Sequence, residues 1–182
     1  VVDKTKALML HRIGDMARLQ TDAIIISSCL GVVWVGLIGT YKMIVNSVSG
    51  YVNLIFNSVI SSFGNLIATE SREKQFQLFL VYRFFAIWVY GFSAVGFFLL
   101  LSPLVELYVG ADRVLATSII AWYLTDYFFK GERVVLSNFK TAAGVFEQDK
   151  YLSILQGIVN LVLSIALVFK IGLAGVFIGT VV

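Results

Sequence analysis

Apolar residues come along this chain in runs of roughly twenty, the length that crosses a bilayer core of about 30 Å. Three of the runs carry polar residues at helical spacing. In residues 6–31, His11, Asp15, Arg18 and Asp22 follow at steps of four, three and four, so they share one helical face. Leu8, Met9, Leu10, Ile13, Met16, Ala17 and Leu19 occupy the other faces. A helix that is oily on most sides and polar along one strip fits a wall between lipid and a wet interior. The next run, 35–69, has Asn46, Gly50, Asn53, Asn57, Ser61 and Gly64 at steps of 4, 3, 4, 4 and 3, with Ile44, Val48, Val52, Ile55 and Val59 on the lipid side. Residues 112–141 repeat the pattern with Asp126, Lys130, Arg133, Ser137 and Lys140.

These runs predict an all-α, polytopic transmembrane helical bundle. The spans fall near 6–31, 35–69, 75–101, 112–141 and 151–169, with the start of a sixth at 172–182. A charged loop at 70–74 separates the second and third. Pro103 predicts a turn after the third, because the residue before a proline is steered away from helix. The turn at 31–35 has no polar residue. A rival division therefore makes 1–22 an interfacial amphipathic helix and places the first span at 23–41.

Composition supports the membrane class. The chain is 59% hydrophobic and 14% charged, where a soluble domain carries about a quarter charged residues. Strict alternation over about ten residues, the mark of a membrane barrel strand, is missing. The single cysteine, Cys29, can form no intrachain disulfide and reads as packing. Lys4, Lys6, Arg12, Arg72, Lys74, Lys140 and Lys150 collect on one side of the predicted topology, which is therefore the cytoplasmic side. The 31–35, 102–112 and 170–172 turns are then external. The chain begins with Val1 and stops at Val182 inside an apolar run, so it reads as a piece of a longer polytopic protein.

An ionisable side chain at the centre of a span costs about 2.5–3.5 kcal/mol on insertion scales. That cost singles out Asp15, Arg18, Asp22, Lys130 and Arg133 as cavity-lining or substrate-binding candidates, with Asp22 deepest and the candidate for ion coupling. The bland alternative pairs Asp15, Arg18 and Asp22 along their own helix and lets Lys130 and Arg133 reach the head groups. Asn46, Asn53 and Asn57 suit a hydrated path or close helix packing equally. His11 alone carries little. No metal-ligand spacing, phosphate-cradling glycine loop or Ser–His–Asp set is present, so the chain is not expected to be an enzyme, and no cofactor is expected.

Four strings, TDAIIIS at 21–27, SSFGNLIATE at 61–70, TAAGVFEQDKY at 141–151 and IGLAGVFIGT at 171–180, stand in an order and at separations that resemble the bacterial polysaccharide-biosynthesis flippases. These are the oligosaccharide, O-antigen and capsule exporters of the multidrug/oligosaccharidyl-lipid/polysaccharide superfamily. The resemblance covers nearly all of residues 1–182 and implies a partial C-terminal lobe, helices 7 to 11 and the start of 12, facing an N-terminal lobe of the same polypeptide across a V-shaped cavity. It implies a multi-pass protein of the bacterial plasma membrane that flips a polyprenyl-pyrophosphate-linked oligosaccharide by alternating access, and coupling to a proton or sodium gradient is an expectation that rests on Asp22. It puts Asp22 on the acidic position of the TD motif and Arg133 on a basic position of the tenth helix. Arg18 lies where the family pattern is often uncharged, so its candidacy rests on the stripe alone. Two other functions stay open on the residues: a multidrug or cation antiporter of the same superfamily, and a membrane-embedded glycosyltransferase, polymerase or ligase.

Overall fold

A computed structural model describes residue 9 and residues 21–144 and 150–181. All secondary structure among these residues is helical. Helix α1 occupies residues 21–29, followed by α2 (Val32–Ser58), α3 (Ile60–Thr69), α4 (Arg72–Val109), α5 (Thr117–Ala143), α6 (Lys150–Ile171) and α7 (Leu173–Val181). A 3₁₀ turn, Ala111–Arg113, precedes α5.

The break between α1 and α2 falls at Leu30–Gly31. Gly31 has φ 100°, a conformation that L side chains rarely adopt and that glycine enters freely. A turn without polar residues is thus made by backbone freedom instead. It divides 23–41 into two helices, so those residues do not form one continuous helix.

The expected turn at Pro103 is also corrected. Helix α4 runs through Pro103 and ends at Val109, where Gly110 has φ 102°. A proline inside a helix removes one backbone donor and crowds the carbonyl four residues back. Here the flanking apolar contacts outweigh that, since Leu101 and Val105, on either side of the proline, are both buried. At its other end α4 is capped by Ser71, whose hydroxyl accepts from the Lys74 amide at 3.4 Å, with Glu73 favourable in the first turn.

Helix α5 is the hub and packs against α2, α3, α4 and α7. Its inner face carries Ile120, Tyr123, Leu124, Tyr127, Gly131, Val135 and Asn138. A side chain at Gly131 would collide with the Tyr90 ring of α4, so the glycine is what lets α4 and α5 meet. Gly175 and Gly179 of α7 do the same against Leu167 and Ser164 of α6, a small-xxx-small contact of the kind that joins membrane helices.

The second expected span is interrupted where it contains neither proline nor glycine. Helix α2 stops at Ser58 and α3 restarts at Ile60. The Phe56 carbonyl, which would receive the Ile60 amide in an unbroken helix, accepts instead from the Tyr82 hydroxyl at 2.6 Å and the Asn138 amide at 3.1 Å. Side chains inserted into the ladder are a recognised cause of helix breaks.

The outside of the bundle is apolar. Phe84, Phe85, Trp88, Phe92 and Leu99 of α4 are all exposed, as are Ile55 and Leu54 of α2. Two stretches, Val32–Thr69 and Arg72–Val109, are long and apolar enough to cross a membrane, and Leu155–Ile171 is a shorter apolar helix.

Candidate functional site

In the middle of this apolar bundle sits a cluster of charge. Asp22 on α1 and Asp126 on α5 are each only 4% exposed. Lys130, one turn after Asp126, closes an ion pair with it at 2.5 Å. Lys42 of α2 is half-buried and lies within electrostatic range of Asp22, Asp126 and Lys130. The four groups are two carboxylates and two ammonium ions, so the cluster is close to neutral. That neutrality is the condition for holding buried charge, since a lone ion in a low-dielectric interior is costly and a paired one much less so.

Asp22 has a neutral donor as well. The Thr180 hydroxyl on α7 reaches its Oδ1 at 3.3 Å. The cluster therefore ties together α1, α2, α5 and α7, elements at both ends of the chain. The aromatic shell beside it is hydrogen-bonded too: the Tyr90 hydroxyl donates to Asn53 Oδ1 at 2.6 Å, and the Tyr127 hydroxyl reaches Ser93 Oγ at 3.2 Å.

The candidates from the sequence distribute unevenly over this arrangement. Asp22 and Lys130 belong to the cluster. Arg133 lines a neighbouring cavity of about 160 Å³ with Asn160 and Thr180, and Thr180 connects that cavity to Asp22. Asn53 is half-buried against Tyr90, while Asn46 and Asn57 lie on the exposed surface of α2. The inward stripe of α2 is Ile38, Tyr41, Val45, Ser49 and Phe56. Asp15 and Arg18 lie outside the described residues.

Lys42, Thr180 and Asn160 were not among the candidates. Lys42 stands alone in an apolar run, and that solitary charge was the signal that could have found it. Thr180 and Asn160 carry no charge and gave no such signal. Asp126 was visible in the stripe of α5, and its spacing of four from Lys130 foreshadows the ion pair. A second pair, Arg83 Nε to Glu132 Oε2 at 3.0 Å, links α4 to α5.

Among the described residues no group of three or more His, Cys, Asp and Glu side chains is placed to hold a metal ion. The chain matches no protein-family model, no curated protein and no solved structure.

Proposed function

We propose that this chain is one lobe of a membrane transporter that flips a polyprenyl-pyrophosphate-linked oligosaccharide across the bacterial plasma membrane. In this reading α1 through α6 belong to five spans, with α2 and α3 forming one of them, and α7 begins a sixth. The observation that carries it is the pair of buried carboxylates, Asp22 and Asp126, met by the half-buried Lys42 and Lys130 within a bundle whose exterior is apolar. Four ionisable groups do not stabilise such a core: apolar residues of the same volume would serve as well or better. Their presence in a membrane span is a mark of a substrate or ion pathway.

A glycan head group cannot cross hydrocarbon bare, because each hydroxyl without a partner costs several kcal/mol. Side chains that replace its water contacts lower that barrier while the lipid tail stays in the bilayer. Lys130 and Arg133 are the cationic partners offered to the pyrophosphate, together with Arg18, which rests on the sequence stripe. Lys130 would leave Asp126 to do so, and Lys42 is near enough to compensate the carboxylate it leaves. Asp22, held by one neutral hydroxyl and by nearby charge of both signs, is the group whose proton or sodium occupancy would bias inward- and outward-open states. The four sequence strings that resemble the flippase family support the same reading.

The test is translocation of a fluorescent lipid-linked oligosaccharide in vesicles containing the full chain, with Asp22→Asn alongside. Flipping that depends on a proton or sodium gradient, with the dependence lost in Asp22→Asn, is the expected result. Flipping by the wild type with its ion dependence unchanged in the variant removes Asp22 from the mechanism. No flipping by the wild type, with gradient-driven efflux of a cationic dye, replaces the reading with a drug antiporter.

A further inference from the structure

The cavity between α5, α6 and α7 holds an unpaired acceptor. Asn160 is 5% exposed and, among the described residues, its Oδ1 has no hydrogen-bond partner. Its Nδ2 donates to the Gly179 carbonyl at 3.4 Å, which fixes the amide so that the oxygen, not the nitrogen, is the end left over. Ten residues of α6 separate Asn160 from Lys150, about 15 Å along the axis, and Arg133 is about 15 Å from the end of α5 at Ala143. In the transporter reading both ends face the cytoplasm, so the cavity sits near the bilayer midplane. An amide oxygen without a partner there calls for an occupant that donates to it.

The lining says which occupant. At the deep end Asn160 Oδ1 accepts. Thr180 Oγ1 has a single proton, directed to Asp22 Oδ1 or to the Val176 carbonyl at 3.0 Å, so toward anything else it too is an acceptor. Phosphate, which presents mainly acceptors at neutral pH, does not suit that end. At the rim Arg133 and Gln156 supply donors, and the guanidinium opposes a bare cation. Leu155 and Val159 add an apolar wall. Hydroxyls that both donate and accept, carried on a ring with an apolar C–H face, meet all three requirements. A volume of about 160 Å³ is on the order of ten water sites at ~15 Å³ each, enough for one ring.

We propose that this cavity is a monosaccharide subsite, in which a sugar hydroxyl donates to Asn160 Oδ1 while Gln156 and Arg133 hold the opposite edge of the ring. The inference rests on the transporter reading for its choice of sugar as cargo, but its test does not require transport.

Saturation-transfer NMR on the full chain in lipid nanodiscs, with the methyl β-glycosides of glucose, galactose and N-acetylglucosamine as probes, reads binding directly. At least one glycoside is expected to receive saturation. Asn160→Leu should weaken that binding about fivefold to tenfold, the loss of one hydrogen bond to a bound hydroxyl. Leu155→Trp should abolish it by filling the mouth without touching a polar group, and it decides the matter if Asn160→Leu fails to fold. No transfer to any of the glycosides, or transfer unchanged in Leu155→Trp, overturns the subsite. Wild-type translocation measured in parallel separates the two ideas. Binding without flipping keeps the subsite and removes the transporter reading, whereas flipping without glycoside binding does the reverse.

Discussion

The Thr180 hydroxyl lies 3.3 Å from the Asp22 carboxylate and 3.0 Å from the carbonyl of Val176 in its own helix. One proton cannot serve both acceptors fully, so the bond to Asp22 competes with a local alternative. Thr180→Val keeps the shape and removes the donor. It should lower stability by about 1 kcal/mol, the scale of one interhelical hydrogen bond in a membrane protein, while Thr180→Ser retains it. Thermal unfolding of the two variants in detergent checks this, and equal midpoints would show that Asp22 draws nothing from Thr180.

The Asp126–Lys130 pair should show strong coupling. Lys130→Met leaves Asp126 buried with a distant countercharge, and Asp126→Leu strands an ammonium that is only partly exposed. Each single change should cost about 2–4 kcal/mol, tempered by the half-exposed Lys130 end, whereas Asp126→Leu with Lys130→Met together should cost less than either. A double-mutant cycle by denaturation measures the difference. Additive effects would mean that the two charges are stabilised independently.

Gly131 sets two known effects against each other. Alanine in a helix interior is worth about 1 kcal/mol over glycine. At this position its methyl would occupy the space of the Tyr90 ring. Overpacking of that kind costs about 1–3 kcal/mol, so the second effect should win and Gly131→Ala should destabilise the protein. Combining it with Tyr90→Ala should recover part of the loss. A higher melting temperature for Gly131→Ala alone would show that α4 can move aside.

The break between α2 and α3 should depend on the residues that capture the Phe56 carbonyl. With Tyr82→Phe and Asn138→Leu combined, that carbonyl has no side-chain donor and the Ile60 amide becomes its natural partner. Hydrogen exchange at the Ile60 amide should then slow, as the helix closes across residues 58–60. Asn138→Leu alone should leave the break in place, because Tyr82 still donates. Unchanged exchange in the double variant would locate the cause of the break elsewhere.

Much of the fold follows from patterns a few residues long. Runs of apolar residues predict the helices of α2 through α7, and the polar stripe on α5 places Asp126 and Lys130 on one face, though their pairing was not read from it. Asp22 was conspicuous for a local reason: a carboxylate in an apolar run is expensive. Three features were settled only by tertiary contact. Pro103 stays within a helix because Leu101 and Val105 are buried against other elements. The helix breaks at Val59, with no proline or glycine, because Tyr82 and Asn138 arrive from α4 and α5. Thr180 and Asn160 gain their significance from an approach of α7 to α1 and α6 that brings residues 22 and 180 together. Periodicity along a chain specifies which side of a helix is polar, but the partner that side meets is fixed by packing among helices distant in sequence, and uncharged polar groups leave no mark until that packing is known.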